Sequence, residues 1–229
     1  AWKEMLHRYA ATILGLMIIA LVVTAWWRKQ PKALSLALFG VVIVQGIFGA
    51  LTVTMDTMPL IVTSHLFGGL ACFSLALLIL FQQYPRMLLL DHMMQKHLYT
   101  WAFVSFAVVL LQIFLGGWVS TNYAALACLD FPTCQGSLLG GDKNFSEAFA
   151  LWTPMHIDEM GDAVSPLSQA AKTAIHITHR LGALLVLVVV HIFAIKLIKQ
   201  RGRAKVLGYS LLGILFAQIL LGISNIVFK

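Results

Sequence analysis

The sequence has few charged residues, and this scarcity excludes a soluble globular domain. Asp, Glu, Lys and Arg make up 11% of the 229 residues, whereas 60% are hydrophobic. Soluble domains carry about 25% charged residues. Short segments of alternating hydrophobicity are also absent, which argues against a transmembrane β-barrel. The chain is therefore expected to cross a membrane as helices, because backbone groups have no water partner in lipid.

Long runs without Asp, Glu, Lys or Arg locate the spans. They cover 9–27, 33–55, 57–84, 98–129 and 206–228, and a shorter run at 181–195 extends outward to spanning length. Crossing the hydrocarbon core takes about 20 helical residues. The sequence therefore predicts an all-α transmembrane protein with six helices, at approximately 4–27, 34–55, 59–83, 98–120, 172–198 and 204–227.

The distribution of charge predicts the orientation of the chain. Every second connection is basic, whereas the alternate connections hold Asp56 and most of the other acidic residues. Basic loops stay in the cytoplasm, which places the loop 121–171 and the first residue outside. The net charge of +7 therefore reflects topology, and no nucleic-acid partner is expected. In that outer loop, Cys128 and Cys134 are candidates for a disulfide because the compartment is oxidising. Two free thiols are the alternative.

Two short motifs recur along the chain at one offset. His-Arg stands at 7–8 and again at 179–180, and Gln-x-x-x-Gly stands at 45–49 and again at 218–222. The offset is 172 or 173 residues, which indicates a parallel repeat. The counterpart of His65 would fall beyond Lys229. We therefore expect six helices of an eight-helix protein built as two pseudo-symmetric four-helix bundles, with domains at 1–97 and 98–229.

Three histidines lie at similar depth in the predicted spans. His7, His65 and His179 each fall within about two turns of the outer end of a helix. Ionisable groups inside a membrane are functional candidates, and imidazole is a common ligand of haem iron. The alternative is a hydrogen bond to a neighbouring helix.

Charged residues stand beside two of these histidines. Arg8 and Arg180 could each pair with a haem propionate, or could be interfacial anchors. Glu4 lies three residues before His7 and so on the same helical face. A carboxylate there could move protons or stabilise positive charge on a substrate. The alternative is a favourable interaction with the helix N-terminus.

Several stretches together resemble the haem A synthase family. Glu-Met-Leu-His-Arg at 4–8 resembles its Glu-x-x-His-Arg signature, and Ile-His-Ile-Thr-His-Arg-Leu-Gly at 175–182 is similar to its second histidine motif. The segments 112–124 and 128–136 resemble a helix of the family and its disulfide loop. The resemblance runs through the whole chain in order.

The resemblance implies a membrane oxidoreductase with two four-helix bundles. It implies that His7 and His65 hold the haem O substrate, that His179 holds a resident haem B, and that Glu4 is the acid required for turnover. The implied reaction oxidises the C8 methyl of haem O to the formyl of haem A. The implied setting is a bacterial inner membrane, with the histidines toward the periplasm. Haem O synthase and cytochrome oxidase assembly are the implied partners, and homo-oligomerisation is left open.

Two other functions compete with this interpretation. A b-type electron-transfer cytochrome would bind haem without changing it. The repeat keeps a histidine in both halves but carries Glu4 in one and His176 in the other, and this asymmetry favours the enzyme. A transporter with a parallel repeat is the third hypothesis, but the chain lacks a charged site in the middle of the membrane.

Overall fold

The computed structural model of the protein describes residues 2–28, 32–84, 96–157 and 163–228. Within these ranges the chain forms seven helices: α1 (Trp2–Trp27), α2 (Ala33–Thr54), α3 (Pro59–Gln83), α4 (Lys96–Thr121), α5 (Phe145–Ala148), α6 (Gln169–Ile198) and α7 (Arg203–Val227). Strands β1 (His156–Ile157) and β2 (Ala163–Val164) pair antiparallel, with His156 opposite Val164.

Six of these helices are long and apolar enough to span a membrane, namely α1 to α4, α6 and α7. This confirms the prediction of an all-α transmembrane protein. The predicted helix ends agree with the observed ends to within three residues. Large apolar side chains cover the helix surfaces, as at Phe103 and Phe216, because these surfaces face lipid rather than a protein core.

The largest difference is at α6, which begins at Gln169 instead of the predicted 172 because Ser168 caps it. The Ser168 hydroxyl oxygen accepts a hydrogen bond from the amide of Ala171 at 3.2 Å. That hydroxyl and the Ser168 amide each donate to the Glu147 carboxylate, at 2.6 Å. The bond from the Ser168 hydroxyl is the main reason why the pKa of Glu147 lies below its ordinary value. This carboxylate ties short helix α5 to the start of α6.

The chain divides into two compact units. The first comprises Ala1–Thr54 and Ser64–Leu88, and in it α1 packs against α2. The second comprises Met55–Thr63 and Leu89–Lys229, and in it α6 packs against both α4 and α7. The division predicted at residue 97 from the repeat stays a prediction.

The second unit has a compact apolar core where α4 ends and α6 begins. Trp118 is 1% exposed and donates from its indole nitrogen to the carbonyl oxygen of Ala148 at 2.8 Å. Ala171, Ala174 and Ile175 on α6 pack into the same cluster. This core packs the loop between α4 and α6 against both helices, and α6 carries the predicted ligand His179.

Helices α6 and α7 approach each other closely at Gly208. A Cβ atom there would lie 2.7 Å from the carbonyl oxygen of Ala194 and 2.9 Å from the amide nitrogen of Ile198. Both are backbone atoms of α6 and cannot swing away. The close approach therefore depends on the absence of a side chain at this position.

We expect Gly208→Leu to separate α6 from α7 and to destabilise the second unit by about 1–3 kcal/mol, the usual cost of overpacking. Gly213→Leu on the same helix is the matched control, because no heavy atom lies within 4 Å of a Cβ built there. Thermal unfolding in detergent micelles measures both. Equal midpoints for the two variants would contradict the assignment of Gly208 to the interface.

Candidate functional site

The three predicted histidines lie near the N-terminal ends of their helices, His7 in α1, His65 in α3 and His179 in α6. His7 and His65 both belong to the first unit. His7 is exposed, whereas His65 and His179 are half-buried. The structure thus sets the first pair in one unit and the third histidine in the other.

His65 lies against two residues of α2. The side-chain amide of Gln45 donates from Nε2 to the carbonyl oxygen of His65 at 2.8 Å. A Cβ at Gly49 would lie 3.5 Å from His65 Cε1, and one at Gly68 would collide with the Gln45 amide. Nδ1 of His65 and Oε1 of Gln45 are buried and have no hydrogen-bond partner.

His179 lies against two residues of α4 in the same way. Nε2 of Gln112 donates to the carbonyl oxygen of His179 at 3.1 Å and also lies 3.1 Å from Nδ1 of the ring. A Cβ at Gly116 would lie 3.2 Å from His179 Cε1, and one at Gly182 would collide with Oε1 of Gln112. That oxygen is buried without a partner.

The two surroundings repeat each other. In each unit a Gln-x-x-x-Gly helix faces a His-x-x-Gly helix, the glutamine holds the carbonyl of the histidine, and the second glycine makes room for the glutamine amide. From the sequence, Gln45 was predicted only as part of the repeat, and Gln112 was not predicted to belong to the site. The recurrence of Gln-x-x-x-Gly at 112–116 was the signal that could have found it.

Arg180 holds the segment 128–136, here called the disulfide loop, against α6. Its two terminal nitrogens donate to four loop carbonyls, at distances of 2.7–3.4 Å: those of Thr133, Asp130, Cys128 and Pro132. Its Nε is buried without a partner. The pairing of Arg180 with a propionate stays a prediction, as does that of Arg8, which is exposed on α1.

The disulfide loop is closed by the bond between Cys128 and Cys134, which confirms the predicted pairing over two free thiols. Both cysteines are buried and pack against Ile177 of α6. Gln135 adds a bond from its side-chain amide to the hydroxyl of Thr173 at 2.9 Å. Apolar packing and hydrogen bonds therefore both join the loop to α6, within two turns of His179.

His176 and Glu4 are the residues that differ between the two halves of the repeat. The structure describes the side chain of His176 only. His176 is 5% exposed, and its Nδ1 donates to the carbonyl oxygen of Ala124 at 2.9 Å. This contact anchors the first residues of the long loop. Glu4 belongs to α1, but its side chain lies outside the part of the chain that the structure describes.

The surroundings of His65 and His179 fit a haem better than a bare metal ion. Within the described ranges, no three His, Cys, Asp or Glu side chains come together to hold an ion. A haem iron needs only one or two ligands from the protein, because the porphyrin supplies the others. Unpartnered polar atoms at Gln45, His65, Gln112 and Arg180 mark hydrogen-bonding capacity that the protein alone does not satisfy.

The chain is similar to proteins whose names refer to haem A synthesis and to cytochrome oxidase assembly. The COX15-CtaA family, described as "Cytochrome oxidase assembly protein", matches residues 1–229. A "Heme A synthase" of Shewanella oneidensis is 37% identical over 99% of this chain and 68% of its own length. Proteins of the same name from Bacillus mycoides and Alkalihalophilus pseudofirmus are each 29% identical, over 58% and 60% of this chain. The chain spans less than half the length of these two relatives, 45% and 48%.

The Asp130 carboxylate organises the disulfide loop and gives it a pH dependence. A hydrogen bond from the Thr133 hydroxyl, followed by those from the amides of Gly136 and Gln135, lowers the pKa of Asp130 from 3.8 to about 2. The amides of Gln135 and Gly136 lie 2.7 Å and 3.0 Å from its two oxygens. A depressed folded-state pKa means that this stabilisation is present above pH 3.8 and is lost as the pH falls through about 2.

We expect the disulfide to become more accessible to a water-soluble phosphine as the pH falls from 4 toward about 2, because protonated Asp130 releases the loop amides. Asp130→Asn should be reduced several-fold faster than wild type at pH 5 and should lose this dependence. Thiol alkylation and mass spectrometry of the protein in detergent measure the rate. Asp142→Asn, an exposed acid of the same long loop, should keep the wild-type profile. A wild-type profile for Asp130→Asn would refute the role.

Proposed function

Because this chain belongs to the COX15-CtaA family of cytochrome oxidase assembly proteins, we propose that it performs the function of a haem A synthase in the membrane. The observation that carries the proposal is the 37% identity to a relative of that name over 99% of the chain. Half-buried histidines in both units, each beside unpartnered polar atoms, support it. The likeness to a synthase favours this function over that of a b-type electron carrier.

The proposed reaction converts the C8 methyl of haem O to the formyl of haem A. With water as the oxygen source, this oxidation removes four electrons and four protons from the methyl group and water together. The enzyme therefore needs an electron acceptor and groups that carry protons away from the reacting carbon. The membrane setting keeps the apolar substrate next to the protein.

The first unit is the proposed substrate site, with His7 and His65 as the residues that hold haem O. Their place in one compact unit supports this role. Glu4 is the proposed catalytic residue, because it lies in α1 about one helical turn before His7. There it would take up a proton from the reacting group or stabilise positive charge that develops on it.

The second unit is the proposed site of a resident haem B, with His179 as a ligand. When bound, haem B supplies one-electron redox chemistry. The residues of this chain fix the ligand: Gln112 holds its backbone, and Arg180 ties the next position of α6 to the disulfide loop.

The orientation and the partners are part of the same proposal. Basic connections in the cytoplasm would put the disulfide loop and the histidines toward the periplasmic side of a bacterial inner membrane. A haem O synthase would supply the substrate, and assembly of cytochrome oxidase would consume the product.

The direct test is conversion of haem O by the purified membrane protein in the presence of an electron acceptor. We expect extraction and mass spectrometry to find haem A formed from haem O, with haem B retained throughout. Bound haem B together with unchanged haem O would instead identify an electron carrier and would overturn the proposal.

Glu4→Gln should retain haem binding and lose haem A formation by about 10²–10⁴-fold, the usual contribution of a general acid or base. Haem content is read from the absorption spectrum and turnover from extracted haems. Asp142→Asn, which removes an exposed carboxylate of the long loop, is the control and should leave turnover unchanged. Loss of haem from Glu4→Gln would mark the residue as structural.

A further inference from the structure

Gln45 and Gln112 are polar side chains on membrane-spanning helices, and each lies at a candidate haem ligand. Each donates its amide hydrogen to the backbone carbonyl of a histidine on the facing helix, at 2.8 Å and 3.1 Å. Helix carbonyls are already engaged within their own helix, so these bonds are not needed to satisfy the backbone. Their consequence is to fix a carboxamide beside His65 and beside His179.

A glycine keeps each carboxamide in place. Gly68 and Gly182 lie three residues after the histidines, and a Cβ at either position would collide with the glutamine amide. The amide is the end of a flexible side chain, so it would swing aside and lose the histidine carbonyl. Small residues generally allow membrane helices to approach closely. Here each glycine in addition leaves the space that the glutamine amide occupies.

The amide oxygens are the unusual part of the arrangement. Oε1 of Gln45 and Oε1 of Gln112 are both buried without a partner, and so is Nδ1 of His65. A buried polar atom without a partner is costly, so two equivalent amide oxygens without partners indicate a hydrogen bond that forms only in another state. A ring nitrogen of the facing histidine can become that partner when the ring turns toward the oxygen.

The chemistry of a ligating histidine identifies this state. When one ring nitrogen binds a metal, the other carries a hydrogen and needs an acceptor. In the second unit the amide nitrogen of Gln112 lies 3.1 Å from Nδ1 of His179 and 3.4 Å from Nε2, while the amide oxygen has no partner. Its unused oxygen belongs to the group that is already in contact with the ring.

We propose that Gln45 and Gln112 are positioning residues for His65 and His179: each sets the orientation and tautomer of the ring, and its amide oxygen accepts the hydrogen of the nitrogen that points away from a bound haem iron. This inference rests on the proposed haem ligation and extends it to two residues and two glycines. An acceptor makes the imidazole a stronger donor to the iron and stabilises the oxidised form.

The reduction potential of haem B in the second unit tests the proposal. Gln112→Glu keeps an acceptor of similar shape and adds charge, so the midpoint potential should shift lower. Gln112→Leu removes the acceptor, so the potential should shift higher. A side chain that only fills space would give no such opposite pair of shifts. The control is Gln200→Leu, whose glutamine lies just past the end of α6 and donates to the carbonyl of Lys196 at 3.4 Å, and it should leave the potential unchanged.

Gly182→Ala displaces the carboxamide without changing either polar residue. We expect its potential to follow that of Gln112→Leu, whereas Gly213→Ala, with open space around its Cβ, should match wild type. Electron paramagnetic resonance of the oxidised haem should change with the potential in each variant. Unchanged spectra and potentials, or shifts of one sign in both glutamine variants, would overturn the proposal.

A measurement without haem keeps this inference separate from the proposed function. With ¹⁵N-labelled histidine, ring-nitrogen shifts report the tautomer of His179 in the haem-free protein. Wild type and Gln200→Leu should show one fixed tautomer, and Gln112→Leu and Gly182→Ala should lose it. Failure to bind haem B would count against the function alone, whereas an unchanged tautomer in both variants would count against the role of Gln112.

Discussion

The absence of hydrogen-bonding solvent in lipid is the constraint on which this structure depends. Side chains such as Gln45 and Gln112 cannot turn to water inside a spanning helix, so each must find a protein partner. Each donates to the carbonyl of a histidine on the facing helix. Because an amide N–H without a partner is costly in lipid, α2 turns its Gln45 face toward α3, and α4 turns its Gln112 face toward α6. Glycines at the same contacts then set how closely the helices approach.

Much of the fold was predictable because lipid imposes a simple rule on sequence. A run without charge has to be about as long as the membrane is thick. This rule located five spans directly, whereas the run at 181–195 is shorter and had to be extended outward. The exception at α6 has a local cause, since the Ser168 cap and its bonds to Glu147 begin the helix earlier. A tertiary contact of this kind between distant parts of a loop leaves no periodic signal.

The candidate ligands could be proposed from the sequence, whereas the residues that contact them could not. His7, His65 and His179 stood out because ionisable groups are rare in spans. The pairing of Gln112 with His179 joins residues 67 positions apart, and only folding reveals it. Arg180 is another example: the sequence offered a propionate or an interfacial anchor, and the structure also gives it four carbonyls of the disulfide loop. Short motifs predict residue types well, but partners are set by packing.

The glycine that makes room for each glutamine also has an evolutionary consequence. At Gly182 a single added methyl group would displace the amide of Gln112, and at Gly68 the same change would displace that of Gln45. A mutation of the glutamine or of the glycine alone would leave the two side chains badly packed. A shorter amide in place of glutamine together with a larger residue in place of glycine would restore the packing. Glutamine and glycine should therefore covary across related proteins as linked pairs, one pair in each unit, inherited independently of each other.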